Sequence, residues 1–174
     1  MTLLADIVSA SEAVAGTSSR SAKVAILADL LRALDADEVP IGVGFLSGVP
    51  RQGRVGIGYA AIQGVTRAPA AEASLTVADV DRAISEIEAE TGSGSAGRRR
   101  ELLQALMGRA TAPEAAFLVE LLTGGLRQGA LAGLMADAVA KAAGVPGELA
   151  RRALMLHGDL PQMAQIAMTE GEAG

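Results

Sequence analysis

Arg127 stands in Leu122-Thr123-Gly124-Gly125-Leu126-Arg127-Gln128-Gly129-Ala130-Leu131, directly ahead of an apolar stretch with helical spacing. A glycine-rich turn exposes backbone N–H groups. The helix behind it adds the positive end of its dipole, and the guanidinium supplies a full charge. That combination suits a phosphate held by its oxygens. Three other junctions share parts of this chemistry. In Thr17-Ser18-Ser19-Arg20-Ser21-Ala22-Lys23, hydroxyls and free N–H groups open a helix, and Arg20 and Lys23 share a face three residues apart. In Leu46-Ser47-Gly48-Val49-Pro50 through Arg54-Val55-Gly56-Ile57-Gly58, the glycines allow close backbone approach. Leu156-His157-Gly158-Asp159-Leu160 reads as a turn between helices, with His157 a turn residue rather than a base. The candidate phosphate-binding set is Ser19, Arg20, Lys23, Gly48, Arg54, Gly56, Gly58, Arg127 and Gly129. The competing reading of the same residues is ordinary: helix caps, solvated basic turns and glycines that let helices pack.

Chemistry of other kinds lacks residues. There is no cysteine, so disulfides and thiolate metal sites are excluded, and His157 is the single histidine. Lys23 is followed by Val24 and Lys141 by Ala142, so neither lysine stands in a Lys-x-Asp-Gly context, and the acids lie at caps and on helix surfaces. Gly42-Val43-Gly44 and Gly56-Ile57-Gly58 both lack the third glycine of a dinucleotide fingerprint. No catalytic residue, metal ligand or cofactor is assigned within this chain. Met1 to Asp6 has no basic region and carries an early acid, so a signal peptide is not expected, and no uncharged run approaches a membrane span. A cytoplasmic setting is expected.

The net charge is −5, which argues against nucleic acid until its distribution is considered. Lys23 and Lys141 are the only lysines among 15 basic residues; the rest are arginines. Residues 39–67 hold Arg51, Arg54 and Arg67 and no acid, and Arg98-Arg99-Arg100 forms a block. Acids gather in Asp35-Ala36-Asp37-Glu38 and from Asp79 to Glu90. Two outcomes are open: a basic face opposite an acidic one, or helix surfaces laced with ion pairs.

The elements that must position these residues are helical. Half of the 174 residues are hydrophobic, mostly Ala, Leu, Val, Ile and Met, with Phe45, Phe117 and Tyr59 the only aromatics. Spacing predicts helices over 19–34, near 41–46 and 58–64, behind Thr76, over 98–107, behind Thr111, up to Ala143, from Pro146, and behind Asp159. Residues 68–75 read as a linker, 91–97 as flexible, Tyr59 as core or rim, and 169–174 as a flexible tail.

In this order the four junctions resemble the N-terminal DNA-binding domain of ATP-dependent DNA ligases, of the bacterial, actinobacterial type. Thr17-Ser18-Ser19-Arg20 through Lys23 is similar to the family's opening Thr-Ser-x-Arg helix. Leu46-Ser47-Gly48 with Gly56-Ile57-Gly58 resembles its Leu-x-Gly and Gly-Ile-Gly segment. Leu126-Arg127-Gln128-Gly129 resembles its Leu-Arg-x-Gly loop, with Gln128 in place of a branched apolar residue, and Gly158-Asp159-Leu160 matches its late turn. The resemblance implies an all-α domain of roughly 8–11 helices over residues 1–168, in two pseudo-similar halves (about 1–67 and 76–168). It implies sequence-independent grip on nicked double-stranded DNA through minor-groove phosphates, in replication, repair or recombination. It also implies a parent enzyme whose adenylation and OB-fold domains carry the nucleophile, ATP and Mg²⁺. The rival from another class is a helical protein-interaction or dimerisation module. A stand-alone ATP-using enzyme is disfavoured by the missing nucleophile motif.

Overall fold

Helix start signals within three or four residues are the most local instructions in this sequence, and the computed structural model uses them. It describes residues 1–53, 55–65, 68–126 and 131–173, with the side chain of Leu131 set aside. Among these residues the helices are α1 (Leu4–Gly16), α2 (Arg20–Ala33), α3 (Val39–Leu46), α4 (Tyr59–Gln63), α5 (Val77–Ala89), α6 (Ser95–Arg109), α7 (Ala112–Thr123), α8 (Leu131–Ala143), α9 (Gly147–His157) and α10 (Leu160–Glu170), with a 3₁₀ turn at Gly171–Ala173. The fold is all-α.

Ser19 Oγ accepts the Ala22 N–H at 3.3 Å and opens α2. Thr76 and Asp79 form a reciprocal capping box on α5. At α7, Glu114 accepts both the N–H (2.8 Å) and the hydroxyl (2.9 Å) of Thr111. Asp159 accepts the Gln162 N–H at 2.9 Å and starts α10. Gly124 ends α7 in the left-handed region at φ 76°, where a side chain would be strained.

Val77, Val80, Ile84 and Ile87 of α5 are fully buried, as are Leu27 and Leu31 of α2. α2 packs most extensively on α8, α3 lies on α10, and α1 touches both α2 and α7. Helices α1–α3 thus pack against α7, α8 and α10 over one continuous core. The chain start is stitched to α5 by a bridge between Leu3 and Thr76, with Leu4 N–H to Leu75 O at 2.8 Å and Val77 N–H to Thr2 O at 2.9 Å.

Several expectations are corrected. α1 had no expectation, yet it buries Leu4, Ile7, Val8, Ala10 and Val14. Residues 95–97, read as flexible, form the first turn of α6, because Gly94 adopts φ 77° and its carbonyl accepts the Arg98 N–H at 3.3 Å. Pro146 precedes α9 rather than occupying its first turn. Thr169 and Glu170, read as tail, extend α10, and the Thr169 hydroxyl donates to Gln165 O at 2.9 Å. Tyr59 is 61% exposed rather than core or rim. Among the described residues no helix is long and apolar enough to cross a membrane.

Candidate nucleic-acid interface

The α2 start is the best-defined of the four junctions. Its cap leaves Ser19 exposed, with Ser19 N–H donating to Thr17 Oγ1 at 3.2 Å and its hydroxyl 3.1 Å from that of Ser21. The first amides of a helix have no intrahelical acceptor, so this end carries partial positive charge. Arg20 reaches from it to α8, donating from Nη2 to Asp137 Oδ2 at 2.6 Å, and stays 64% exposed. Arg151 of α9 donates to the other oxygen of the same carboxylate at 2.5 Å, with its side chain 50% exposed. The Arg20 hydrogen bond, opposed by burial and reinforced by Arg151, holds the Asp137 carboxyl below the usual range. Lys23, one turn on, is half-buried.

At the far end of α2, Arg32 Nη2 donates to Lys141 O at 2.7 Å. Arg20 is therefore tied to the middle of α8 and Arg32 to its end, so the two helices run in the same general sense. Their N-terminal ends lie toward the same end of the pair, and α8 begins right after the Arg127 segment. Arg127, Gly129 and the second-junction Arg54 lie outside the described residues.

The second and third junctions nonetheless meet. Gly48 is buried with φ 76°, and a Cβ on it would stand 2.1 Å from the Leu126 carbonyl oxygen. The close approach Gly48 permits is to the chain itself, immediately before Arg127. Gly56 and Gly58, by contrast, are exposed with open space beside each. Both precede the single-turn α4. Gly56 and Ile57, with Ala60 and Ala61 of α4, line one side of a groove of ≈ 280 Å³ whose other side is Ala96, Arg99, Arg100 and Leu103 of α6. His157 ends α9 beside the left-handed Gly158 and is exposed, consistent with a turn position.

The remaining basic residues are largely engaged. Arg51, part of the acid-free run, makes a two-pronged pair with Asp81 (Nε to Oδ1 at 2.6 Å, and Nη2 to Oδ2), and Gln52 adds a bond to Oδ1 at 2.9 Å. Arg98 pairs with Glu90 at 2.5 Å, and Arg99 and Arg100 donate to the carbonyls of Glu90 (3.2 Å) and Gly64 (3.0 Å). Asp79 takes Arg109 at 2.8 Å and Arg82 at 3.4 Å. Burial works to raise the Asp79 carboxyl, but Arg109 and the Thr76 N–H outweigh it and hold it low. Asp79, Asp81 and Glu90 and their arginine partners thus interleave, so this part of the surface is ion-paired and not divided into two faces. Arg51 is lost as a free cation for a reason no local pattern contains: its partner is 30 residues away.

Sequence reasoning passed over Asp137 and Arg151 as members of the first junction. It also passed over Gly92-Ser93-Gly94-Ser95-Ala96-Gly97, which has the full Gly-x-Gly-x-x-Gly spacing. That run follows helix α5, whereas the dinucleotide fingerprint follows a strand. Its glycines turn the chain into α6, and Arg98 Nη1 holds the turn through Ser93 O at 3.3 Å. Among the described residues no group of histidines and carboxylates is placed to hold a metal ion.

Residues 57–140 match the family described as DNA ligase N terminus. This region is homologous to the N terminus of DNA ligases. The likeness to whole ligases extends further along the chain. A "Probable DNA ligase" of Nocardia farcinica is 53% identical over 171 residues, covering 98% of this chain and 33% of the relative. Those of Mycobacterium marinum (53% over 174 residues) and Anaeromyxobacter dehalogenans (50% over 175) each cover 99% of this chain and 34% of the relative. The chain thus spans about a third of the length of the curated relatives it matches. The ligase-homologous segment includes α4 to α7, Arg127 and most of α8 with Asp137. Arg20 and Arg151 lie outside it, within the longer alignments.

Proposed function

We propose that this chain is the DNA-binding region of an ATP-dependent DNA ligase of the bacterial, actinobacterial type. It grips nicked duplex DNA by the sugar–phosphate backbones across the minor groove, without reading sequence. The division into pseudo-similar halves, 1–67 and 76–168, belongs to the same proposal. Adenylation and OB-fold domains elsewhere in the parent enzyme seal the nick with ATP and Mg²⁺, in replication, repair or recombination, in the cytoplasm.

The observation that carries the reading is the α2 start: an exposed serine cap with Arg20 and Arg151 presented beside it, at the end of the helix pair from which α8 springs after Arg127. A nick sealer must accept any sequence, so phosphate contacts suit it and base-edge contacts do not. Arg127, Arg20, Lys23 and Arg54 are the proposed charged contacts, with Ser19, Gly56, Gly58 and Gly129 offering backbone N–H approach and Gly48 setting the neighbouring turn.

The test is a gel-shift titration on nicked and intact duplexes at several salt concentrations. Each neutralised phosphate adds about 0.9 to the slope of log affinity against log salt. Arg127→Ala is expected to weaken binding equally on unrelated sequences; a loss confined to some sequences would contradict it. A second reading, a protein-interaction module, is favoured by the exposed Leu149, Met155 and Leu156 of α9. It expects no duplex binding even at low salt.

A further inference from the structure

We propose that Asp137 is a positioning residue: its carboxylate holds Arg20 of α2 and Arg151 of α9 side by side as a two-guanidinium seat for one backbone phosphate. This rests on the DNA-binding reading and adds Arg151 and Asp137 to its interface. Each arginine places one terminal N–H on a different carboxylate oxygen, at 2.6 and 2.5 Å. A guanidinium has five N–H donors, so each keeps most of its hydrogen-bonding capacity. Both arginines remain more open to solvent than the acid that holds them. The Asp137 side chain is 20% exposed, beneath arginine side chains 64% and 50% exposed. Two cations on one anion leave the cluster with a net positive charge. It lies where three helices meet, and α8 and α9 differ from α2 in being joined by a short turn through Gly144 and Val145. The carboxylate therefore limits the freedom of two long side chains that would otherwise have to be ordered by the ligand, a cost that preorganisation removes.

The sign of one substitution separates this role from simple electrostatics. Asp137→Asn removes a negative charge, which by long-range attraction alone would tighten DNA binding. Loss of positioning is expected to weaken it, by about tenfold, the scale of one charge-assisted hydrogen bond. Binding of the whole chain to a fluorescein-labelled nicked duplex would be read by anisotropy across a salt series, with Arg20→Gln, Arg151→Gln and the double variant beside Asp137→Asn. Arg151→Gln is expected to lower the salt slope by about 0.9, a change that a purely structural ion pair would not produce. Arg20→Gln and Arg151→Gln are expected to be non-additive, because both serve one phosphate. If Asp137→Asn does not fold, the slope and the additivity of the two surface variants decide. Wild-type binding together with unchanged or tighter binding by Asp137→Asn overturns the inference alone, as do additive arginine variants with an unchanged slope. Absence of any wild-type binding at low salt overturns the DNA-binding reading, and this inference with it.

Discussion

Gly48 shows how one residue joins two distant parts of the chain. Its φ of 76° lies in the left-handed region, and its Cα faces the Leu126 carbonyl with no room for a methyl group. Gly48→Ala is therefore expected to cost about 1–3 kcal/mol from the backbone conformation alone, with the clash in addition. Urea denaturation would check this; a loss below about 0.5 kcal/mol, the range of an indifferent surface change, would mean that the 46–48 turn and Leu126 do not meet as described. The displaced partner is backbone, so side-chain rearrangement cannot relieve the contact. The same substitution is expected to weaken DNA binding in protein that remains folded, since Leu126 leads into Arg127.

At the scale of elements, the helices are held by reciprocal caps and by ties between chain segments. Thr76 serves both roles: its hydroxyl accepts the Asp79 N–H at 3.0 Å, and it stands in the bridge to Leu3. Thr76→Ala is expected to destabilise the fold by about 1 kcal/mol, within the usual range for a lost cap. Thr76→Ser keeps the oxygen and is expected to retain most of that stability. Thermal melts of the two variants would check this, and equal losses would show that the methyl group rather than the cap matters. Asp79 ties the same cap to α6, through Arg109 at 2.8 Å. One carboxylate thus both finishes the α5 start and receives a cation from α6, while Arg98 and Arg99 tie the other end of α5 through Glu90.

The molecule as a whole carries a net charge of −5, yet offers arginines at the α2 end. Binding to DNA is expected to be modest at physiological salt and much stronger at low salt. A log–log slope of about −2 to −4 corresponds to the few phosphates that the proposed cations could neutralise. A salt-independent affinity would rule out backbone contacts as its source. Acid stability is also a property of the whole fold. Asp137 is held low by Arg20 first, against burial; Asp79 and Glu38 are held low by hydrogen bonds that outweigh their burial. Their folded pKa values lie below unfolded values of about 3.9 for Asp and 4.3 for Glu, so their stabilisation is fully present above that range. It is lost as pH falls through the lower folded values. The melting temperature is expected to hold from pH 7 to about 5 and then fall, and less steeply in Asp79→Asn. A melting temperature that rose on acidification would contradict the signs assigned to these three carboxyls.

The caps at Ser19, Thr76 and Asp159, the glycine stop after α7 and the buried stripe of α5 were all legible in the sequence. Each is decided by groups within a turn or two of one another. The ligase likeness was legible for a related reason, since short motifs keep their order along the chain whatever their spatial arrangement. What the tertiary structure alone decided is which charges remain available. Arg51 looked like part of a basic face until α5 brought Asp81 against it, and Arg20 and Arg151 share a carboxylate 117 and 14 residues away. Ion pairing depends on distances of a few ångströms between segments remote in sequence. Helix packing sets those distances, and neither composition nor periodicity records them.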